Sequence, residues 1–134
     1  MSGVVIGGEL LLTSVPLLAI VPEARIKAWL LAQGMPVPSI LVTSVSRVEQ
    51  QFLAKQPFRL VTERVQATVR AATGEQREAI RGLIRDAWDQ RQGTLAGFSN
   101  VSVLLAGTGP DFSDDAASIF MGSIDARVSF SEPA

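Results

Sequence analysis

The stretch "LVTERVQATVRA" (residues 60–71) is the most regular part of the sequence. Apolar and polar residues alternate along it, and Glu63 is the one charged residue on the apolar side. Because side chains of a strand point alternately to its two faces, one face is expected to pack while the other carries Arg64 and Arg70. The stretch therefore predicts a long β-strand with one buried face.

A helix is predicted directly after this strand, over residues 74–92. Thr73 and Gln76 have the spacing of a capping box, and Gly93 is a suitable stop. Apolar residues recur at helical spacing and predict one buried stripe: Ala79, Ile80, Leu83, Ile84, Ala87 and Trp88. Arg77, Arg81 and Arg85 lie on the other side of the helix and are expected to face solvent.

The remaining segments complete a mixed pattern of elements. Residues 4–12 predict a short buried helix, and Ser14 is a candidate cap for a helical turn over residues 16–20. Strands are predicted over residues 25–31, 40–48, 101–106 and 124–130, while residues 33–39, residues 49–57 and the stretch "QGTLAG" (92–97) are predicted to be connections.

These elements predict one domain over residues 1–134 of the α+β class, a two-layer α/β sandwich. A mixed or antiparallel sheet of about four to five strands would be packed by one long amphipathic helix and a short N-terminal helix. The interrupted apolar segment near the start predicts neither a membrane span nor an export signal.

The composition narrows the chemistry that the chain can perform. It has no His, Cys or Tyr, so a Ser–His triad, a Cys nucleophile and a Cys/His zinc site are excluded within the chain. The net charge of −1 argues against broad attraction to nucleic acid or to a membrane. An enzyme is therefore not expected, and neither is a cofactor.

Charge is unevenly distributed along the sequence. Residues 1–100 hold 11 basic and 8 acidic side chains, whereas residues 101–134 hold 1 basic and 5 acidic side chains. The two parts can meet within one fold, or between neighbouring subunits, or the acidic part can be a solvated tail. The sequence leaves these three alternatives open.

The segment "GTGPDFSDDAASIF" (residues 107–120) concentrates three carboxylates, Asp111, Asp114 and Asp115. As an EF-hand loop it would need Gly where Ala116 stands and Glu where Gly122 stands, so the strictest positions fail. It lacks the third glycine of a dinucleotide-binding loop. The segment is therefore interpreted as a turn in which aspartates cap free amides, without a metal or catalytic role.

Four segments appear in a distinctive order along the chain, with the helix after the second of them. They are "LLAQGMPVPSILVTSVSRVE" (30–49), "LVTERVQATVRAAT" (60–73), "GTLAGFSNVSVLLAGTGPDFSDDAASIF" (93–120) and "SIDARVSF" (123–130). In this order they resemble the tail terminator, or tail completion, proteins of long-tailed bacteriophages. The unusually apolar first segment, with Gly7-Gly8 and Pro16, departs from what the family leads one to expect.

The resemblance implies a structural virion protein that forms a ring, commonly hexameric, at the head-proximal end of the tail tube. Such a ring stops tube polymerisation and offers a surface for joining the head. Its partners would be further copies of itself, the tail tube protein and a head connector or neck protein. The protein would be made in the host cytoplasm, with no membrane contact, and DNA would pass through the ring without stable binding.

If the protein assembles in this way, some of its charged residues are expected to form contacts between subunits. The subunit or tail-tube interface is predicted to include Arg64, Arg70, Asp111, Asp114 and Asp115, with Asp114 and Asp115 opposite Arg64 or Arg70 of a neighbour. One alternative is another neck or tail subunit, such as a head–tail adaptor or a tube protein. A second is a small ligand-binding α/β regulatory module with a pocket between sheet and helix.

Overall fold

A computed structural model describes residues 2–29, 35–50, 57–109, 111–114 and 119–133. The helices are α1 (Ser2–Leu12), α2 (Val15–Leu18) and α3 (Gly74–Trp88), and a 3-10 turn (Glu23–Arg25) follows α2. The strands are β1 (Ile26–Ala28), β2 (Ser39–Glu49), β3 (Phe58–Ala71), β4 (Arg91–Leu95), β5 (Phe98–Thr108), β6 (Phe112–Asp114) and β7 (Ile119–Pro133). Within the described ranges, none of the helices has the length and apolarity needed to cross a membrane.

The strands form one curled, mixed sheet in the order β1-β2-β3-β7-β5-β4. β1 runs parallel to β2, and the other described pairings are antiparallel. β6 pairs with the first residues of β7. β5 pairs with later residues along the same edge of β7. Because β3 occupies the other side of β7, the last strand lies at the centre of the sheet.

The predicted fold class, an α+β two-layer sandwich, is wrong. Strands make up 53% of the described chain, the sheet has seven strands and curls into a half-barrel, and the helices are short. One reason lies at the end of α3, which stops at Trp88 and does not continue to residue 92. Asp89 is already extended, with ψ 122°, and Gln90 has φ 50°, so the next residues form β4 where a turn was predicted.

Other differences concern short or extended elements. Within the described part of the strand predicted over residues 25–31, only β1 is extended, and the acidic segment contains β6, which was not predicted. The last strand, predicted over residues 124–130, covers all of Ile119–Pro133. The predicted connections at residues 33–39 and 49–57 lie partly outside the described residues.

The core lies between the sheet and the helices. The predicted alternation of β3 is confirmed, since Val61, Val65, Ala67, Val69 and Ala71 are all buried. α3 contributes a buried stripe to the same core, consisting of Ile80, Ile84, Ala87 and Trp88. Burial of these side chains removes apolar surface from water and is the main stabilising term for such a sheet–helix contact.

The capping box at the start of α3 is confirmed in its main bond. The Gln76 N–H donates to Thr73 Oγ1 at 3.0 Å, and Gln76 Oε1 accepts from the N–H of Ala72, one residue before the cap, at 3.0 Å. Ser14 stands at the N-cap of α2, but its side chain makes no capping bond there. The sequence thus correctly predicted the side-chain cap of α3, but not that of α2.

The apolar N-terminal helix packs closely because it contains glycine. A Cβ on Gly7 would lie 3.4 Å from Trp88 Cζ2, and the Trp88 indole N–H donates to the Gly7 carbonyl at 3.0 Å. A Cβ on Gly3 would lie 2.8 Å from the carboxyl carbon of Glu63, a fully buried residue of β3. The glycines therefore let α1 approach α3 and the sheet at distances that larger residues would prevent.

Candidate assembly surfaces

The side of the sheet that faces away from α1 and α3 is polar. The odd-numbered residues of β3 are buried under the helices, so its even-numbered residues point to the opposite side. Strand register brings side chains of β1, β2, β5, β6 and β7 onto the same side. We call this surface the open sheet face, and its charged positions are Lys27, Arg64, Arg70, Asp114, Asp125 and Arg127.

An internal ion pair crosses the open sheet face. Arg64 donates to Asp125 Oδ2 from Nε at 3.0 Å and from Nη2 at 2.7 Å. The Arg64 side chain is 48% exposed, whereas that of Asp125 is 7% exposed. Asp125 Oδ1 is buried without a hydrogen bond among the described residues. One of the predicted interface residues, Arg64, is thus already neutralised within the chain.

Arg127 lies directly opposite Arg64 on the neighbouring strand and is exposed. Its side chain has no hydrogen-bond or ion-pair partner among the residues that the structure describes. Arg70 lies on the same face as Arg64, next to Met121 and, one strand further, Phe112. The structure therefore brings Arg64 and Arg70 to one face, as the strand alternation predicted, and adds Arg127.

Asp111 is placed on a different side of the molecule, against α3. Its Oδ1 lies 2.8 Å from Arg81 Nη2, and its Oδ2 lies 3.2 Å from Arg77 Nη2. Both arginines also bond Glu78, and they donate at 3.4 Å to the backbone carbonyls of Met121 and Ser123. This four-residue network of Arg77, Glu78, Arg81 and Asp111, which we call the α3 clamp, fixes the segment between β5 and β6 against the helix.

The α3 clamp corrects the prediction that the arginine row of α3 faces solvent. The side chains of Arg77 and Arg81 are 14% and 7% exposed, and Arg85 alone of the three is exposed. Beside the clamp, a cleft of about 410 Å³ runs between Arg85 and the residues Thr108 and Gly109 at the end of β5. The helical spacing placed these arginines on one side but carried no signal that Asp111, thirty residues beyond Arg81, would cover them.

Two of the predicted interface residues remain without a described contact. Asp114 is the last residue of β6, where its backbone pairs with Ile119, and Asp115 lies outside the described residues. Of the five predicted residues, the strand register puts Arg64, Arg70 and Asp114 on one face, and ion pairs connect Asp111 to α3. The described part of the chain has no group of three or more acidic, His or Cys residues that could hold a metal.

A second charged cluster lies at the other end of the sheet. Arg47 contacts Glu49, Glu63 and Glu132, and its guanidinium carbon lies 5.9 Å above the centre of the Phe130 ring. Arg59 also contacts Glu132, at 3.5 Å. The hydrogen bond from Arg47 is the main cause that lowers the pKa of Glu49 below its ordinary value. These contacts hold the ends of β2, β3 and β7 together.

These ion pairs show that the basic and acidic parts of the sequence meet within one chain. Three carboxylates from the acidic part, Asp111, Asp125 and Glu132, contact arginines from the basic part within one chain. The first of the three alternatives left open by the sequence is therefore correct for these residues. Arg127 breaks the pattern, because it belongs to the acidic part and has no such partner among the described residues.

The clamp leads to a prediction on stability. Arg81→Met should lower the free energy of unfolding by about 1 kcal/mol at neutral pH, since it removes a mostly buried donor from two carboxylates that solvent partly screens. The hydrogen bond from Arg81 lowers the pKa of Glu78. This stabilisation is present above the ordinary pKa of a glutamate and is lost as the pH falls through the lowered value.

The measurement is urea unfolding of both proteins at pH 7 and at a series of acidic pH values. The difference between them should shrink in acid. Arg85→Met is the matched control, because Arg85 is exposed and lies outside the clamp. An equal loss of stability in both variants would show that the clamp contacts add nothing.

Comparison with known proteins identifies the fold. No protein-family model matches the sequence, and a search of curated proteins found no match. The structure is similar to a chain from the virion of a native gene transfer agent (GTA) particle, with a TM-score of 0.69 at 12% sequence identity. The likeness covers 96% of this chain and 94% of that chain, so the two share a fold over nearly their whole length.

Proposed function

We propose that this protein is a structural component of a phage-like virion. The observation that carries the proposal is the fold similarity to a chain of a GTA virion, which spans 96% of the present chain and 94% of the other. A likeness over a whole domain is more informative than a shared motif, although fold alone does not define function. The sequence resemblance to tail terminator proteins points independently to the same class.

Within this class we propose a tail terminator. The protein would form a ring, commonly hexameric, at the head-proximal end of the tail tube, where it stops tube polymerisation and joins the head. Its partners would be other copies of itself, the tube protein and a head connector or neck protein. It would act in the tail or neck of the virion without a cofactor, after synthesis in the host cytoplasm, and DNA would pass it only in transit.

The predicted interface residues take different places in this proposal. Arg64 and Arg70 contribute to the open sheet face, and Asp111 positions the start of β6 through the α3 clamp. Asp114 and Asp115 follow Asp111 in the sequence and remain proposed contacts of a neighbouring subunit or of the tube. Reversing the charge of both should then weaken assembly, and circular dichroism of the variant verifies that it is folded.

Light scattering after size exclusion and negative-stain images test the proposal. We expect the purified protein to form closed rings of uniform diameter above a threshold concentration. A tube protein would instead form stacked tubes of unlimited length. Deleting the gene from a particle-producing genome should give tails of excessive and variable length, and tails of normal length after the deletion would refute the terminator assignment.

A head–tail adaptor is the closest competing function, and it would leave tail length unchanged while abolishing head attachment. The ligand-binding regulatory module receives no support from the described residues. Such a module would need space between the sheet and the helix, where Ile80, Ile84 and Trp88 are fully buried and packed.

A further inference from the structure

The outward side of α3 carries a row of carboxylates. Glu75, Glu78, Asp86 and Asp89, with Gly82 between the second and third of them, follow at spacings that keep them on one side of a helix. All four acidic residues are exposed, and Gly82 has nothing within 4 Å of the position of a Cβ. We call these four residues the acidic stripe.

The two carboxylates at the C-terminal end of the acidic stripe, Asp86 and Asp89, do not stabilise the helix. Asp86 lies in the last turn of α3 and Asp89 is its C-cap residue. Carboxylates at that end face the negative pole of the helix dipole, an arrangement that costs a helix stability. Neither residue has a hydrogen-bond or ion-pair partner for its side chain among the described residues.

The open sheet face has a net positive charge, and two of its arginines repel each other. In the register of the described strands it holds four cations, Lys27, Arg64, Arg70 and Arg127, against two anions, Asp114 and Asp125. Arg64 and Arg127 stand directly opposite each other on adjacent strands, and like charges in that position are destabilising. Asp125 binds Arg64 and leaves Arg127 directed outward without a partner among the described residues.

Both surfaces also expose large apolar side chains. On the helix side Val5 is 43% exposed and Val15 is 77% exposed. On the open sheet face Val48 is 65%, Leu104 is 49% and Phe112 is 60% exposed. Apolar area beside unpaired charge is typical of a surface that becomes covered in an assembly.

We propose that the open sheet face of one copy docks onto the acidic stripe of α3 in a second copy of this chain. The occupant follows from charge complementarity, since each surface supplies the charge that the other lacks. The two surfaces lie on opposite sides of the same sheet, so the contact is heterologous and every docked copy keeps one surface free. A contact of that kind repeats and closes into a ring when its rotation allows. The inference rests on the proposed ring and names the surfaces that build it.

Matched charge reversals test the contact. Arg127→Glu should raise the concentration for half-maximal assembly at least about tenfold, because it sets like charges against each other in the interface. The pair Asp86→Lys with Asp89→Lys should have a similar effect and also suits the helix dipole. Arg85→Glu makes the same chemical change as Arg127→Glu on the acidic side of the molecule and should leave assembly intact. Melting curves followed by circular dichroism verify that each variant is folded.

Combinations of these variants give the sharper result. A chain that carries Arg127→Glu together with Asp86→Lys and Asp89→Lys should assemble again, because both charges of the contact are exchanged. A mixture of the Arg127→Glu chain with the Asp86→Lys, Asp89→Lys chain should also assemble, with the two chains alternating, since one interface is then unaltered and the next has both of its charges exchanged. Raising the salt concentration should weaken wild-type assembly.

The outcomes separate this inference from the proposed function. Wild-type rings that persist in the Arg127→Glu chain overturn the docking proposal and leave the terminator assignment standing. Charge-dependent assembly into open filaments, with normal tails after gene deletion, supports the docking surfaces and refutes the terminator. Rescue of Arg127→Glu by reversal of Asp114 and Asp115, and not by reversal of the stripe, would identify the β6–β7 segment as the occupant and overturn the proposal. Monomers at every concentration would also overturn it.

Discussion

Trp88→Ala should lower the free energy of unfolding by about 3–5 kcal/mol, a large share of the total stability of a domain of this size. Trp88, the last residue of α3, is fully buried beside α1, and its indole N–H donates to the Gly7 carbonyl at 3.0 Å. Gly7 in α1 leaves no side chain that could move into the space. The cavity would therefore stay largely unfilled, and two helices would lose their common contact.

Urea unfolding followed by circular dichroism measures this change, and the chain supplies its own control. Trp29, the other tryptophan, is 50% exposed. Trp29→Ala should change the free energy of unfolding by less than about 1 kcal/mol. Trp88→Phe, which keeps most of the ring but not the N–H, should fall between the two. Equal losses for Trp88→Ala and Trp29→Ala would contradict the packing described for α1.

Glu63→Ala should be nearly as damaging, with a loss of about 3 kcal/mol. Glu63 is fully buried on the apolar side of β3, where Arg47 Nη1 lies 3.6 Å away and the Gly3 N–H donates to it at 3.4 Å. Truncation removes the buried acceptor and leaves the first turn of α1 and the Arg47 guanidinium without it. A donor that loses its buried partner is more costly than an average lost hydrogen bond.

Glu63→Gln separates charge from shape, since the amide occupies nearly the same volume. We expect a smaller loss than for Glu63→Ala, because the side-chain carbonyl can still accept from Gly3. Glu49→Ala is a surface control on the same cluster, and it should lower the stability far less than Glu63→Ala, because solvent screens the contacts of Glu49. Unfolding curves of the Glu63→Ala protein that overlay those of the wild type would rule out a structural role for this carboxylate.

The sequence predicted those parts of the fold in which local pattern and packing agree. The alternation of residues 60–71 identified β3 and its buried face, and the helical stripe with Trp88 identified α3. Even the exception was visible, because Glu63 interrupts the apolar side of the strand. Its explanation was not, since the contacts come from Gly3 and Arg47, far away in the sequence.

The predicted fold class was wrong because strands that are short or lie at an edge of the sheet were not recognised. β4 consists of "RQGTL", which is polar, contains a glycine and is mostly exposed, so it has no alternation to detect. β6 has three residues within an acidic segment whose composition favours a turn. Pairing with β5 and β7 makes these residues strands, and such pairing depends on partners that periodicity does not identify.

The candidate surfaces were also only partly predictable from the sequence. Alternation placed Arg64 and Arg70 on one face, but only the register revealed that Arg127 stands opposite Arg64. The helical spacing grouped Arg77, Arg81 and Arg85, yet two of the three are covered by a carboxylate from the segment between β5 and β6. The acidic stripe did carry a sequence signal, since its four carboxylates recur at helical spacing along α3.

The central position of β7 has a consequence for how the subunit is made. β1, β2 and β3 form one side of the sheet, β4 and β5 form the other, and β7 is the strand that joins them. On the ribosome, both sides must therefore wait with an unpaired edge until β7 has been synthesised. A nascent chain that ends before β7 has two half-sheets that no strand joins, so premature termination gives incomplete fragments with exposed strand edges.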